Sequence, residues 1–171
     1  MQPLGEPDEA ITDPGELLLG YLDYYRATVV RKLTGLDDEA LRTSRLPSGW
    51  APLELLQHLA FMERRWVEWG FAGQDVPDPW GDTDLEADRW AVSSDESLET
   101  VSTRLRSIGD RTREIAGGVD LTRRAPAGPR FETGEDPPAL AWILLHVLQE
   151  YARHAGHLDV ARELLDGTVG E

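Results

Sequence analysis

The stretch between Pro138 and Gly167 constrains the fold most. It holds no proline, and its apolar residues recur at helical spacing from about Ala139 to Asp166. A helix this long must bury one side. Counting about 100° per residue from Ile143, His146 falls at about −60°, Glu150 at −20°, His154 at +20° and His157 at −40°. They share an arc with Val147, Leu158, Ala161, Leu164 and Leu165, while Ala152, Arg153, Asp159, Arg162 and Glu163 fall on the other sides. A polar cluster therefore interrupts the apolar stripe. A carboxylate and imidazoles turned toward a core need compensation by hydrogen bonds or by a metal ion.

The remaining chain reads as three more helices with two long connections. Asp13-Pro14-Gly15-Glu16 opens the first, with Asp as N-cap, Pro in the first turn and Glu placed for a capping box. This helix is expected to run to about Lys32, with Leu17, Tyr21, Tyr24, Thr28 and Leu33 inward and Gly35 as its end. A short turn of helix is expected at Asp38 to Leu41, followed by a break at Pro47-Ser48-Gly49. The second long helix begins near Pro52, carries Leu55, Leu56, Leu59, Met62 and Trp66, and stops at Gly70 and Gly73, with His58 well inside it. Ala72 to Trp90 turns rich in Pro, Gly and Asp and reads as a surface excursion of the length that forms a wall or lid. Ser93-Ser94-Asp95-Glu96 offers the next capping box, Leu98, Val101, Leu105, Ile108 and Ile115 mark the third helix, and Gly117-Gly118 closes it. A second irregular stretch, Leu121 to Pro138, leads to the last helix. No strand pattern and no internal repeat is visible. The reading is an all-α four-helix bundle in which some neighbours run parallel, because a parallel pair needs a long crossover.

The length of 171 residues suits a single helical domain over 1–171, with residues 1–12 expected to be flexible. Apolar runs such as Leu17 to Leu19 and Leu140 to Leu145 fall far below the roughly 20 residues of a membrane span. Met1 to Asp13 is acidic and lacks the basic start and apolar stretch of a secretory signal, which points to a cytoplasmic address. A net charge of −15, spread along the chain, speaks against nucleic acid as a partner. There is no cysteine. Any metal must therefore sit on nitrogen and oxygen, and any thiol chemistry must use a thiol from outside.

Glu150 and His154, four residues apart, stack one turn apart and can reach one ion together. A third ligand must come from a facing helix, and His58 is the one histidine outside the last helix. Three protein ligands plus an open position describe a catalytic site. The plain readings stay beside this one. His146 and His157 taken singly suit satisfied boundary residues, and Glu150 and His154 could simply hydrogen-bond each other. The facing angles alone admit any of His146, Glu150, His154 and His157. Arg65, two turns beyond His58, reads as an anion contact or as a surface salt bridge, and Trp80 and Trp90 as residues of a pocket mouth or as filling.

Trp50-Ala51-Pro52-Leu53-Glu54-Leu55-Leu56-Gln57-His58-Leu59 resembles the second-helix signature of the DinB-like metal-binding superfamily. Glu150-Tyr151-Ala152-Arg153-His154-Ala155-Gly156-His157 is similar to its closing motif. Phe61-Met62-Glu63-Arg64-Arg65-Trp66, Asp78-Pro79-Trp80-Gly81 and the Ala152 to His157 run look like an actinobacterial branch of unassigned function. The resemblance covers nearly the whole chain and is specific at its two motifs. It implies a four-helix bundle of up-down-down-up connectivity with one divalent metal ion, usually zinc or nickel, on three ligands. These map to His58, Glu150 and His154, and Glu at the middle position matches the relatives of the mycothiol-dependent maleylpyruvate isomerase. His157 stands where the family commonly has Gln, which leaves its place inside or behind the ligand set open, as for His146. Iron also suits two imidazoles and a carboxylate.

The resemblance further implies an enzyme that uses a low-molecular-weight thiol and an electrophile, as in mycothiol-type S-transferases. The alternatives are another metal-assisted hydrolase or isomerase, and a non-catalytic, stress-related metal-binding protein. Relatives often form dimers, so a homodimer is the assembly the resemblance suggests.

Overall fold

The computed structural model describes residues 5–132 and 136–170. The described chain is mainly helical: α1 is Pro14–Leu33, α2 Asp38–Arg42, α3 Pro52–Arg64, α4 Leu98–Ala116 and α5 Leu140–Asp166. None of these helices is long and apolar enough to cross a membrane.

The helix ends follow local chemistry, with three departures from expectation. Asp13 caps α1 by accepting from Glu16 N at 2.8 Å, but the Glu16 carboxylate turns to Arg113, 3.7 Å away, rather than closing a box. The box of α4 starts at Ser97, whose Oγ accepts from Thr100 N while Ser97 N donates to Thr100 Oγ1. Ser93 and Ser94 stay outside the helix because Arg42 of α2 holds their carbonyls. The second long helix does not stop at Gly70; it changes at Arg65 into a π-helical segment, Arg65–Phe71, and Gly73 then turns the chain at φ +62°. Insertions of this kind recur at functional sites. Gly167 ends α5 in the left-handed conformation, as the sequence indicates.

The inward face of α1 also differs from the reading. Leu19, Leu22, Arg26, Val29 and Leu33 are buried, while Tyr21 and Tyr24 are only half-buried. The charge of Arg26 hid this stripe. Its guanidinium is compensated by Glu63 of α3, fully buried, through Nε to Oε2 at 2.9 Å and Nη2 to Oε1 at 2.5 Å. Thr112 of α4 and Tyr151 of α5 donate to the same carboxylate at 2.5 and 2.7 Å. One ion pair thus ties α1, α3, α4 and α5. Burial alone would raise the pKa of Glu63, but the Arg26 charge and these donated hydrogen bonds hold it below the usual range. Gly109 gives the room, since a Cβ there would come within 2.9 Å of the Arg26 side chain.

Cross-links give the relative directions of the helices. Arg26 reaches toward Tyr151 through Glu63, and Lys32 pairs with Asp159, so α1 and α5 run parallel. Gln57 meets Arg104 and Glu63 meets Thr112, so α3 and α4 also run parallel. Asp23 meets Arg113 while Arg26 crosses Gly109, so α1 and α4 are antiparallel.

The excursion between α3 and α4 is a wall with some order of its own. It contains a two-residue ladder absent from the sequence reading, β1 Thr83–Asp84 against β2 Arg89–Trp90. It is not surface throughout, because Asp82 is fully buried. Gly81 lets the backbone settle on Phe61, where a Cβ would lie 2.8 Å from the ring. The second connection is fastened before α5 by an isolated bridge between Arg124 and Ala139.

Candidate metal centre

Helix α3 runs antiparallel to α5, so that His58 meets His154 while Trp66, in the π-helical segment that continues α3, meets His146. One ligand atom each from His58, Glu150 and His154 lies within 4.8 Å of the others, a group that could hold a metal ion. His154 Nε2 is 3.2 Å from Glu150 Oε2. Two donors bound about 2.1 Å from a common tetrahedral ion stand roughly 3.4 Å apart, so this pair already has a suitable spacing. The same contact also satisfies the plain reading, a hydrogen bond in which a proton occupies the place of the ion.

Of the polar cluster on α5, only His154 is buried; His146, Glu150 and His157 lie half-buried along its flank, and Leu164 is exposed. The buried stripe centres on Ile143, Val147, Tyr151, His154 and Leu158. This is what a ligand set beside the core, rather than within it, requires. Burial, reinforced by His58, His157 and Arg153 nearby, pushes the His154 pKa down to about 3. His154 is therefore neutral at physiological pH, the state that binds a cation.

His58 is oriented from behind. Its Nδ1–H donates to Asp82 Oδ2 at 2.9 Å, which leaves Nε2 as its lone-pair nitrogen. Asp82 in turn takes a fork from Arg65, with Nη1 to Oδ1 at 2.5 Å and Nη2 to Oδ2 at 3.0 Å. Burial raises the Asp82 pKa, yet the hydrogen bonds from His58 and Arg65 and the Arg65 charge bring it below the usual range. Arg65 is thus neither a surface salt bridge nor a free anion contact: it is buried and committed to Asp82. Trp80 covers its guanidinium at 4.4 Å.

His157 and His146 separate in role. His157 Nδ1 is 3.2 Å from His154 Nδ1, behind the ligand group, and its ring faces Trp50. His146 stacks on Trp142 with rings 5.1 Å apart and inclined by 7°, and contacts Trp66. Neither belongs to the group of converging donors. Trp90 stacks on His58 at 4.1 Å and meets His154 edge-on at 5.3 Å. Trp50, Trp80 and Trp90 line a cleft of about 480 Å³ that opens on His58.

Asp82 is the functional residue that sequence reasoning passed over. It is one of 32 acidic residues, and the tie to His58 spans 24 positions through an irregular loop. The one available signal was its place in a Pro- and Trp-bearing loop too long to be a mere connection.

Residues 17–167 match the sequence model of a family described as mycothiol-S-transferase. No curated protein matches the chain.

Proposed function

Because the chain belongs to the mycothiol-S-transferase family, we propose that it is a divalent-metal-dependent enzyme that joins a small thiol of the mycothiol type to an electrophile. His58, Glu150 and His154 would hold the ion, which is zinc or nickel, with iron the next choice for the same donors. The reading rests above all on the meeting of these three donors, the first of which also lines a cleft and has its ring fixed by Asp82. A bound divalent cation supplies positive charge that keeps a thiol sulfur deprotonated at neutral pH.

The chain's own residues do the rest. Asp82 and Arg65 hold His58 in one tautomer and one orientation. Neutral His154 and the Glu150 carboxylate complete a set with one net negative charge. Trp50, Trp80 and Trp90 provide apolar walls that limit water around the sulfur. In the transfer, a sulfur–carbon bond forms as the electrophile's leaving group departs with its bonding pair, and the thiol proton passes to solvent. The absence of cysteine means no protein thiol competes for the electrophile.

The helix directions support a four-helix bundle with up-down-down-up connectivity, and we take residues 1–171 as one such domain. A cytoplasmic, homodimeric enzyme without nucleic-acid or membrane partners completes the proposal.

Elemental analysis of the purified chain beside His58→Ala and Glu150→Gln tests the ligand set: about one ion per chain is expected, lost in both variants. Full occupancy in both would overturn it. Metal-loaded protein incubated with mycothiol and a bimane electrophile is expected to form conjugate well above the uncatalysed rate, and a background rate would overturn the transferase reading.

A further inference from the structure

A second cleft, of about 500 Å³, is walled by Trp66, Phe131 and Trp142. Two helices fix its distance from the ligands. Trp66 stands eight residues beyond His58 on the second long helical segment, and Trp142 eight residues before Glu150 on α5. Eight residues of helix span about 12 Å, so both helices put the cleft one small-molecule length from the proposed ion.

The walls are planar aromatic surfaces. Trp142 is 51% exposed and stacks on His146, and Trp66 lies 6.4 Å from Phe131 and 5.3 Å from Trp142. An exposed tryptophan that shares a cleft with a second tryptophan and a phenylalanine forms the type of apolar patch that marks a ligand site.

A cation lies against two of these walls. The Arg130 guanidinium lies 4.1 Å over Trp66, 5.5 Å from Trp69 and 5.8 Å from Phe131. Among the described residues no carboxylate bonds to it, and its Nε is buried without a partner. Arg124, at the same cleft, is by contrast paired with Asp136 at 2.8 Å. In a chain of net charge −15, acids are plentiful, so a half-buried guanidinium held by aromatic faces has its hydrogen-bonding edge left for a ligand. That edge matches a carboxylate in two-point fashion, and the rings around it match a flat apolar body.

We propose that this cleft binds the electrophile, and that its preferred class is a planar aromatic molecule carrying a carboxylate, received by Arg130. The assignment of that ligand as the electrophile rests on the transferase reading; the binding does not.

The test therefore measures binding without thiol. Metal-loaded full-length protein is titrated with benzoate and with neutral benzamide by calorimetry, beside Arg130→Met, Trp142→Ala and Glu150→Gln. Benzoate is expected to bind at least tenfold tighter than benzamide, to lose that preference in Arg130→Met, to weaken in Trp142→Ala and to keep its affinity in Glu150→Gln. Equal binding of both probes by the wild type, or no binding, would overturn the proposal. So would benzoate binding kept in Arg130→Met and lost in Glu150→Gln, which would put the carboxylate on the ion. Should Arg130→Met fail to fold by circular dichroism, Arg130→Lys and Trp142→Ala carry the test, an unchanged affinity in both overturning it. Failure of the transferase reading shows separately, as a background rate with mycothiol.

Discussion

Asp82 accepts the Nδ1–H of His58 at 2.9 Å from a loop 24 positions away, and Arg65 pins its two oxygens from the other side. His58, the proposed ligand, is thus held by a carboxylate that is itself held. Losing such support typically weakens metal binding by roughly 10 to 100-fold.

Asp82→Asn is accordingly expected to lower metal affinity by about one to two orders of magnitude, since the amide keeps an acceptor for His58 but loses the charge. Competition with a chromogenic chelator measures this. Asp82→Ala goes further, because it strands a buried Arg65, at a cost of about 3–5 kcal/mol. Wild-type affinity in Asp82→Asn would remove Asp82 from the site.

Glu63→Ala should be the most damaging single change in the core. It leaves Arg26 buried and uncompensated and removes the acceptor of Thr112 and Tyr151. A loss of about 3–5 kcal/mol is expected in urea unfolding. Tyr151→Phe deletes one hydrogen bond to a charged group and should cost about 1.5–3 kcal/mol.

Acid should destabilise the metal-free protein in a defined window. The folded His154 has a pKa of about 3, below the ordinary histidine value of 6.5, and His146 is lowered in the same direction by burial and Arg130 against the opposing pull of Glu150. The unfolded chain therefore binds these protons first. The His154 contribution is complete above pH 6.5 and declines as pH falls toward 3, by about 1.4 kcal/mol per pH unit, and His146 acts in the same direction. Urea midpoints between pH 7 and 5 check this, and His154→Gln should flatten the curve. The depressed carboxylates Glu63 and Asp82 act in the same sense below their ordinary range.

Removing the metal should leave the fold standing. The apolar core runs through all four long helices, and without an ion Glu150 and His154 satisfy each other. Metal at one hundred times its dissociation constant should add about 2.7 kcal/mol, read as a rise in melting temperature. Unfolding by a chelator would instead favour a purely structural ion.

The sequence alone determined the helices and the shared face of Glu150 and His154, because both depend on spacing within one segment; the choice of these two among the four polar residues of that face came from the motif resemblance. Apolar residues at helical period mark α3, α4 and α5, and Glu150 and His154 one turn apart must face the same way whatever packs on them. His58 was legible too, as the one histidine elsewhere. What the tertiary structure decided are the residues that compensate burial from a distance. Arg26 was not among the residues expected to face inward on α1, where Tyr21 and Tyr24 were placed instead, and its burial follows only from Glu63 opposite it. Arg65 read as an anion contact or a surface salt bridge, and Asp82 only as part of a loop, while the structure buries each against the other. A charge can enter a core only with its partner, and the partner's position along the chain follows no period. His157 shows the same division: its place on the helix was known from the count of residues, but only the His154 ring beside it placed it behind the ligands.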